Sequence, residues 1–105
     1  MSGPLFESFI ITNFLKRFSA LDINCSLYYW KSISGFEIDL IIESGRKLIP
    51  IEIKLSSTIN KNHYSALSKW LELSESLAEN GFLISNSCLV GKVDRNIYNC
   101  HWYNI

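Results

Sequence analysis

A chain of 105 residues with 48% apolar side chains suffices for one domain with its own core but leaves no room for a second of ordinary size, so residues 1–105 are read as a single domain. Ten basic and ten acidic side chains balance to a formal charge of zero, which removes the long-range attraction of a strongly basic nucleic-acid binder. No apolar run approaches the roughly 20 residues that span a bilayer, and no GxxxxGK-Ser/Thr phosphate loop occurs. A local basic patch from Lys16, Arg17, Lys31, Arg46 and Lys47 stays open beside the reading of scattered, solvated cations.

After Pro4, which suits a first helical turn, the run LFESFIITNFLKRF places Phe6, Ile10, Phe14 and Arg17 along one stripe widened by Phe9 and Phe18, an amphipathic helix. Glu7 falls at the edge of that apolar face. It either points toward a sheet or is a solvated first-turn acid favoured by the helix dipole. An aromatic strand over about Ser26 to Lys31 follows.

From Phe36 to Glu43 the chain alternates, with Phe36, Ile38, Leu40 and Ile42 on one side and Glu37, Asp39, Ile41 and Glu43 on the other. Leu48 to Lys54 does likewise, setting Ile49, Ile51 and Ile53 against Pro50, Glu52 and Lys54. A turn through Ser44 and Gly45 folds the two strands together, so that Asp39, Glu52 and Lys54 share one surface. Pro50 cannot donate to a ladder, so full pairing is expected only from Ile51 onward. Asn60 to Asn80 reads as a helix, with Tyr64, Leu67, Leu71, Ser74 and Ala78 in register, Trp70 and Leu77 beside them, and Asn80-Gly81 ending it. Phe82 to Ser85 and Tyr98 to Tyr103 are short strands separated by a loop around Gly91 to Asn96. The passage from Ile51 through the helix to Ile84 implies a parallel strand pair and a layered α/β domain with a mixed sheet.

Carboxylates kept together in strands repel one another and lose solvation, which invites a functional reading. Their oxygens are hard ligands suited to Mg²⁺ or Mn²⁺, the ions that assist phosphodiester cleavage. The alternative is a surface ion-pair network of Asp39, Glu52 and Lys54 with little effect on stability or activity. Cys25, Cys88 and Cys100 lack CxxC spacing and read as reduced, partly buried thiols. Cys100 and His101, adjacent in a strand, point to opposite faces, which disfavours them as a joint metal site. His63 reads as a surface residue and His101 as structural. Tyr28, Tyr29, Trp30, Trp70 and Trp102 read as core and rim aromatics, with base stacking as the rarer use. Without the basic and hydrophobic regions of a signal peptide, the chain is expected to be cytoplasmic, with no membrane partner.

An upstream helical Glu, an Asp in one strand and Glu-x-Lys in the next resembles the PD-(D/E)XK nuclease superfamily. The segments GPLFESFIIT, LYYWKSISGFEIDLII and KLIPIEIKLSSTI, the Leu and Trp pattern of the next helix, and HWYNI together cover nearly the whole chain. They resemble nuclease-like domains of uncharacterised function that usually lie at the C-terminal end of predicted bacterial and archaeal AAA+ ATPases. The resemblance implies a restriction-endonuclease-like core, α-β-β-β-α-β-β, with a mixed sheet flanked by helices. It implies Mg²⁺ or Mn²⁺ held by Asp39, Glu52 and the carbonyl of Ile53, with Glu7 binding directly or through water. Lys54 then orients the attacking water or stabilises the transition state. Glu37 shares a face with Asp39 but receives no role, and Lys61 and His63 do not match the helical polar residue of other branches. Two functions follow: a metal-dependent nuclease acting on DNA through Glu7, Asp39, Glu52 and Lys54, or a catalytically silent module that binds nucleic acid or a partner. The AAA+ ATPase module of relatives is absent from these residues, and homo-oligomerisation is open.

Overall fold

A computed structural model describes residues 3–21, 26–74 and 77–104. Cys25 therefore lies outside the described residues, as do Glu75 and Ser76 within the expected second helix. In chain order the elements are α1 (Gly3–Ala20), β1 (Ser26–Lys31), β2 (Glu37–Ser44), β3 (Lys47–Lys54), a 3-10 turn (Lys61–His63), α2 (Ser65–Ser74), β4 (Gly81–Ser85), β5 (Gly91–Asp94), β6 (Ile97–His101) and a last 3-10 turn (Trp102–Asn104). The strands form one mixed six-stranded sheet in the order β1-β2-β3-β4-β6-β5. β3–β4 and β4–β6 are parallel, and the other neighbours are antiparallel.

The helices cover opposite faces of this sheet. Phe6 and Ile10 of α1 bury against Leu40, Ile42, Ile51, Ile53 and Ile84. Tyr64, Leu67, Trp70 and Ala78 pack on Ile38, Ile41, Leu83 and Ile97. Each fully buried aliphatic side chain stabilises the fold by roughly 1.5–3 kcal/mol relative to exposure. No helix among the described residues is long and apolar enough to cross a membrane.

Several sequence expectations are corrected. The strict alternation of β2 fails: Ile38 and Ile41 belong to the α2 face, whereas Leu40 and Ile42 belong to the α1 face. Tyr28 pairs with Ile41 and Trp30 with Ile38, so two steps along β1 span three along β2. An extra residue at Asp39–Leu40 makes a bulge and shifts the phase. The stretch read as a loop around Gly91 to Asn96 contains β5, joined to β6 by a tight turn in which Asn96 takes φ 60. Here a polar four-residue edge strand carries too little apolar alternation to be seen. Among the described residues the second helix covers Ser65–Ser74, Ala78 to Asn80 are not helical, and Gly81 opens β4 instead of capping the helix. Gly81 packs closely under α2, where a Cβ would lie 3.3 Å from Leu67 Cδ2. The last strand stops at His101, because Trp102 begins the 3-10 turn.

Pro50 is buried in the interior strand β3, opposite Ile41 of β2. Pairing toward β4 starts only at Ile51–Phe82, so the proline stands where the parallel ladder has not yet begun. The β2–β3 turn passes through Gly45 and Arg46, one residue later than expected, with Gly45 in the left-handed region at φ 64.

Candidate functional site

The site begins where the β2–β3 ladder ends. Pairing runs from Ser44–Lys47 to Leu40–Ile51 and goes no further. The bulge turns β2 aside at that point, and two carboxylates take over the orphaned backbone donors. The Asp39 amide donates to Glu52 Oε1 at 2.9 Å, and the Ile53 amide donates to Asp39 Oδ2 at 2.9 Å. Each acid thus binds the backbone of the strand that carries the other. Asp39 and Glu52 meet between the parted strands, and Lys54 Nζ lies 3.6 Å from Glu52 Oε2.

Burial dominates the electrostatics. Glu52 is only 4% exposed. Desolvation, then the charge on Asp39, raises its pKa to about 7, against the lowering pull of the Asp39 amide and Lys54. Desolvation also raises Asp39, partly offset by the Ile53 amide and Lys54. Crowding of acids therefore contributes, but loss of water is the larger cause.

Glu7 reaches this region because Phe6 and Ile10, its neighbours on α1, are buried against the sheet. Half-buried itself, its carboxyl is raised by desolvation and by Asp39, and lowered by Lys54. Of the two readings of Glu7, the one facing the sheet describes it. Glu37 is exposed and pairs with Lys31 at 3.8 Å. Among the described residues no three His, Cys, Asp or Glu side chains form a group able to hold a metal ion. Asp39 and Glu52 are accordingly a pair, with Glu7 and Glu37 outside it.

Other singled-out residues have local roles. His63 Nδ1 accepts from the Asn60 amide at 3.3 Å, and Asn60 Oδ1 accepts from the Asn62 amide at 3.0 Å, a reciprocal cap on the 3-10 turn that includes Lys61. His101 Nδ1 accepts from the Tyr103 amide at 3.1 Å. Cys88 is exposed, contrary to expectation, while Cys100 is half-buried and its thiol is pushed up by burial. Within the expected basic patch, Lys31 and Lys47 have acidic partners in Glu37 and Glu79.

Two features escaped the sequence reading. Tyr29 stands beside the acids: partial desolvation, a hydrogen bond to Glu37 and the charges on Glu37, Asp39 and Glu7 raise its phenol. Only strand register brings it there, and an aromatic in a strand carries no such signal. The second is a buried polar knot past Lys54. Ser85 Oγ donates to Asn99 Oδ1 at 2.7 Å, Asn99 Nδ2 donates to the Leu89 carbonyl at 2.7 Å, and the Ser87 amide donates to Ser85 Oγ at 3.1 Å. It pins the loop after β4 at the ends of the parallel strands. An asparagine in the middle of β6, between Tyr98 and Cys100, was its one visible sign.

A search of curated proteins found no match. The family model described as a domain of unknown function, DUF4143, matches residues 2–103. With that match spanning nearly its whole length, the chain belongs to the DUF4143 family.

Proposed function

We propose that the protein is a divalent-metal-dependent nuclease whose centre is the Asp39–Glu52 pair with Lys54. The observation that carries this reading is the meeting of two desolvated carboxylates at the point where β2 and β3 part. Sheet closure alone does not require acids there, and keeping Glu52 ionised at 4% exposure is costly. The donor set fits Mg²⁺ or Mn²⁺: hard oxygens, one of each carboxylate engaged by a backbone amide and the other outside those bonds. Such an ion, when bound, supplies positive charge to the phosphate and a more acidic water.

In this reading Asp39 and Glu52 hold the ion together with the Ile53 carbonyl, and their backbone bonds keep both acids oriented. Lys54 orients the attacking water or, through a hydrogen bond from its ammonium to a phosphate oxygen, stabilises the charge that develops in the transition state. Glu7, outside the pair, acts through water. The resemblance to nuclease-like domains of AAA+ ATPases makes DNA the substrate to test and an ATPase module the partner to test.

A second reading has its own support. Both acids complete the sheet where the ladder stops, a structural role that needs no ion, and fold does not determine activity. This is the catalytically silent module. Thermal melts with and without Mn²⁺, together with cleavage assays on several DNA structures, separate the two. A nuclease gains stability from Mn²⁺ and cleaves, and Asp39→Asn abolishes both. Wild-type protein that gains nothing from Mn²⁺ and cleaves nothing selects the silent module.

A further inference from the structure

Tyr29 lies on β1, an edge strand of the sheet. Its neighbours Tyr28 and Trp30 pair with Ile41 and Ile38, which leaves Tyr29 against the Asp39–Leu40 bulge. Trp30 turns to the opposite face and packs on Phe36 at 5.0 Å between ring centroids, whereas Tyr29 is 59% exposed. Glu37, which helps to raise the phenol, lies near its hydroxyl, and the body of the ring is open to solvent. Lys31, two residues on, shares the Tyr29 face. Its ammonium sits 3.8 Å from the same Glu37. Lys31 on β1 and Lys54 on β3 thus place ammonium groups on the two strands that border Asp39, with side chains 58% and 40% exposed.

An exposed aromatic ring, two partly exposed ammonium groups and a carboxylate pair match the parts of one nucleotide: base, phosphates and scissile centre. The rings of a duplex are stacked on one another and cannot lie on a side chain. An unpaired base can, because every base has a π-face.

Building on the nuclease reading, we infer that Tyr29 is the stacking platform for an unpaired base next to the scissile phosphate, so that the substrate is single-stranded nucleic acid. Lys31 contacts the phosphate of the stacked nucleotide.

The test is fluorescence anisotropy with a short labelled single strand and the duplex of the same sequence, in Ca²⁺, using wild type, Tyr29→Phe and Tyr29→Ala. The wild type is expected to prefer the single strand. Tyr29→Ala should lose roughly tenfold in single-strand affinity, while Tyr29→Phe, which keeps the ring, stays near wild type. Melting curves for each variant check folding, which an exposed side chain should leave unchanged. Duplex preference, unchanged affinity in Tyr29→Ala, or equal losses in both variants overturns the inference. If Mn²⁺ still stabilises the wild type and Asp39→Asn still abolishes cleavage, the nuclease reading survives that failure. Absence of both Mn²⁺ stabilisation and single-strand binding removes the two together.

Discussion

Asp39 does two jobs that substitution can separate. Its Oδ2 accepts from the Ile53 amide, an interaction an asparagine oxygen can retain. Asp39→Asn is therefore expected to leave metal-free stability unchanged or raised, because repulsion with Glu52 disappears. Asp39→Ala leaves the Ile53 amide without its acceptor and should cost about 1–3 kcal/mol in urea denaturation. Equal stability of the two variants would show that this bond does not support the sheet. Glu52 gives a pH-dependent counterpart. Its folded pKa of about 7 stands above the ordinary 4.5, so between those values the native state holds a proton that the unfolded chain has released. Stability accordingly falls as pH rises from about 4.5, and the loss is complete above about 7. Glu52→Gln, which removes this titration, should be more stable than wild type by up to about 3 kcal/mol at high pH, with the gain vanishing in acid. A gain that persists unchanged in acid would count against a desolvated, raised carboxyl.

The elements position the site through contacts distant from it. α1 is held at its N-terminal end by Phe6 and Phe9, whose rings meet Trp102 at 6.2 and 5.8 Å, and Trp102 Nε1 in turn donates to Asn86 Oδ1 at 3.0 Å. The turn after β6 thereby fixes the helix that carries Glu7. On the other face α2 rests on Gly81, where a Cβ would meet Leu67 Cδ2 at 3.3 Å and Leu71 Cδ1 at 3.4 Å. Gly81→Val is expected to destabilise the protein by about 1–3 kcal/mol through overpacking. Its melting temperature should fall while Mn²⁺ still stabilises it, since the carboxylate pair lies elsewhere. An equally stable Gly81→Val variant would mean that α2 can back away from β4 without loss.

Across the whole molecule, zero net charge and acids at the site set the terms of nucleic-acid binding. With Glu7, Glu37, Asp39 and Glu52 near Lys31 and Lys54, a phosphate chain meets repulsion unless a divalent cation offsets it. Binding should therefore be far weaker in chelator than in Ca²⁺. It should also depend only shallowly on monovalent salt: two lysine–phosphate contacts give a log–log slope of roughly −1.4 for a single strand. A steep slope with chelator present would indicate a basic surface away from the carboxylates.

Much of this was readable along the chain. The apolar periods of α1, β3 and α2, the hairpin between β2 and β3, and the parallel β3–β4 pair follow from patterns of local spacing, and local spacing is what a sequence records directly. Asp39, Glu52 and Lys54 were legible for the same reason, standing near one another in chain order. The bulge at Asp39–Leu40 was not, because an extra residue in one strand is defined only by its partner, β1. From that one displacement come the phase shift of Ile41, the end of the ladder and the place of Tyr29. The raised pKa of Glu52 likewise arises from packing by distant elements, since the same acid on an exposed strand would remain solvated. Spacing thus determined which side chains were available, and long-range register and burial decided which of them meet without water.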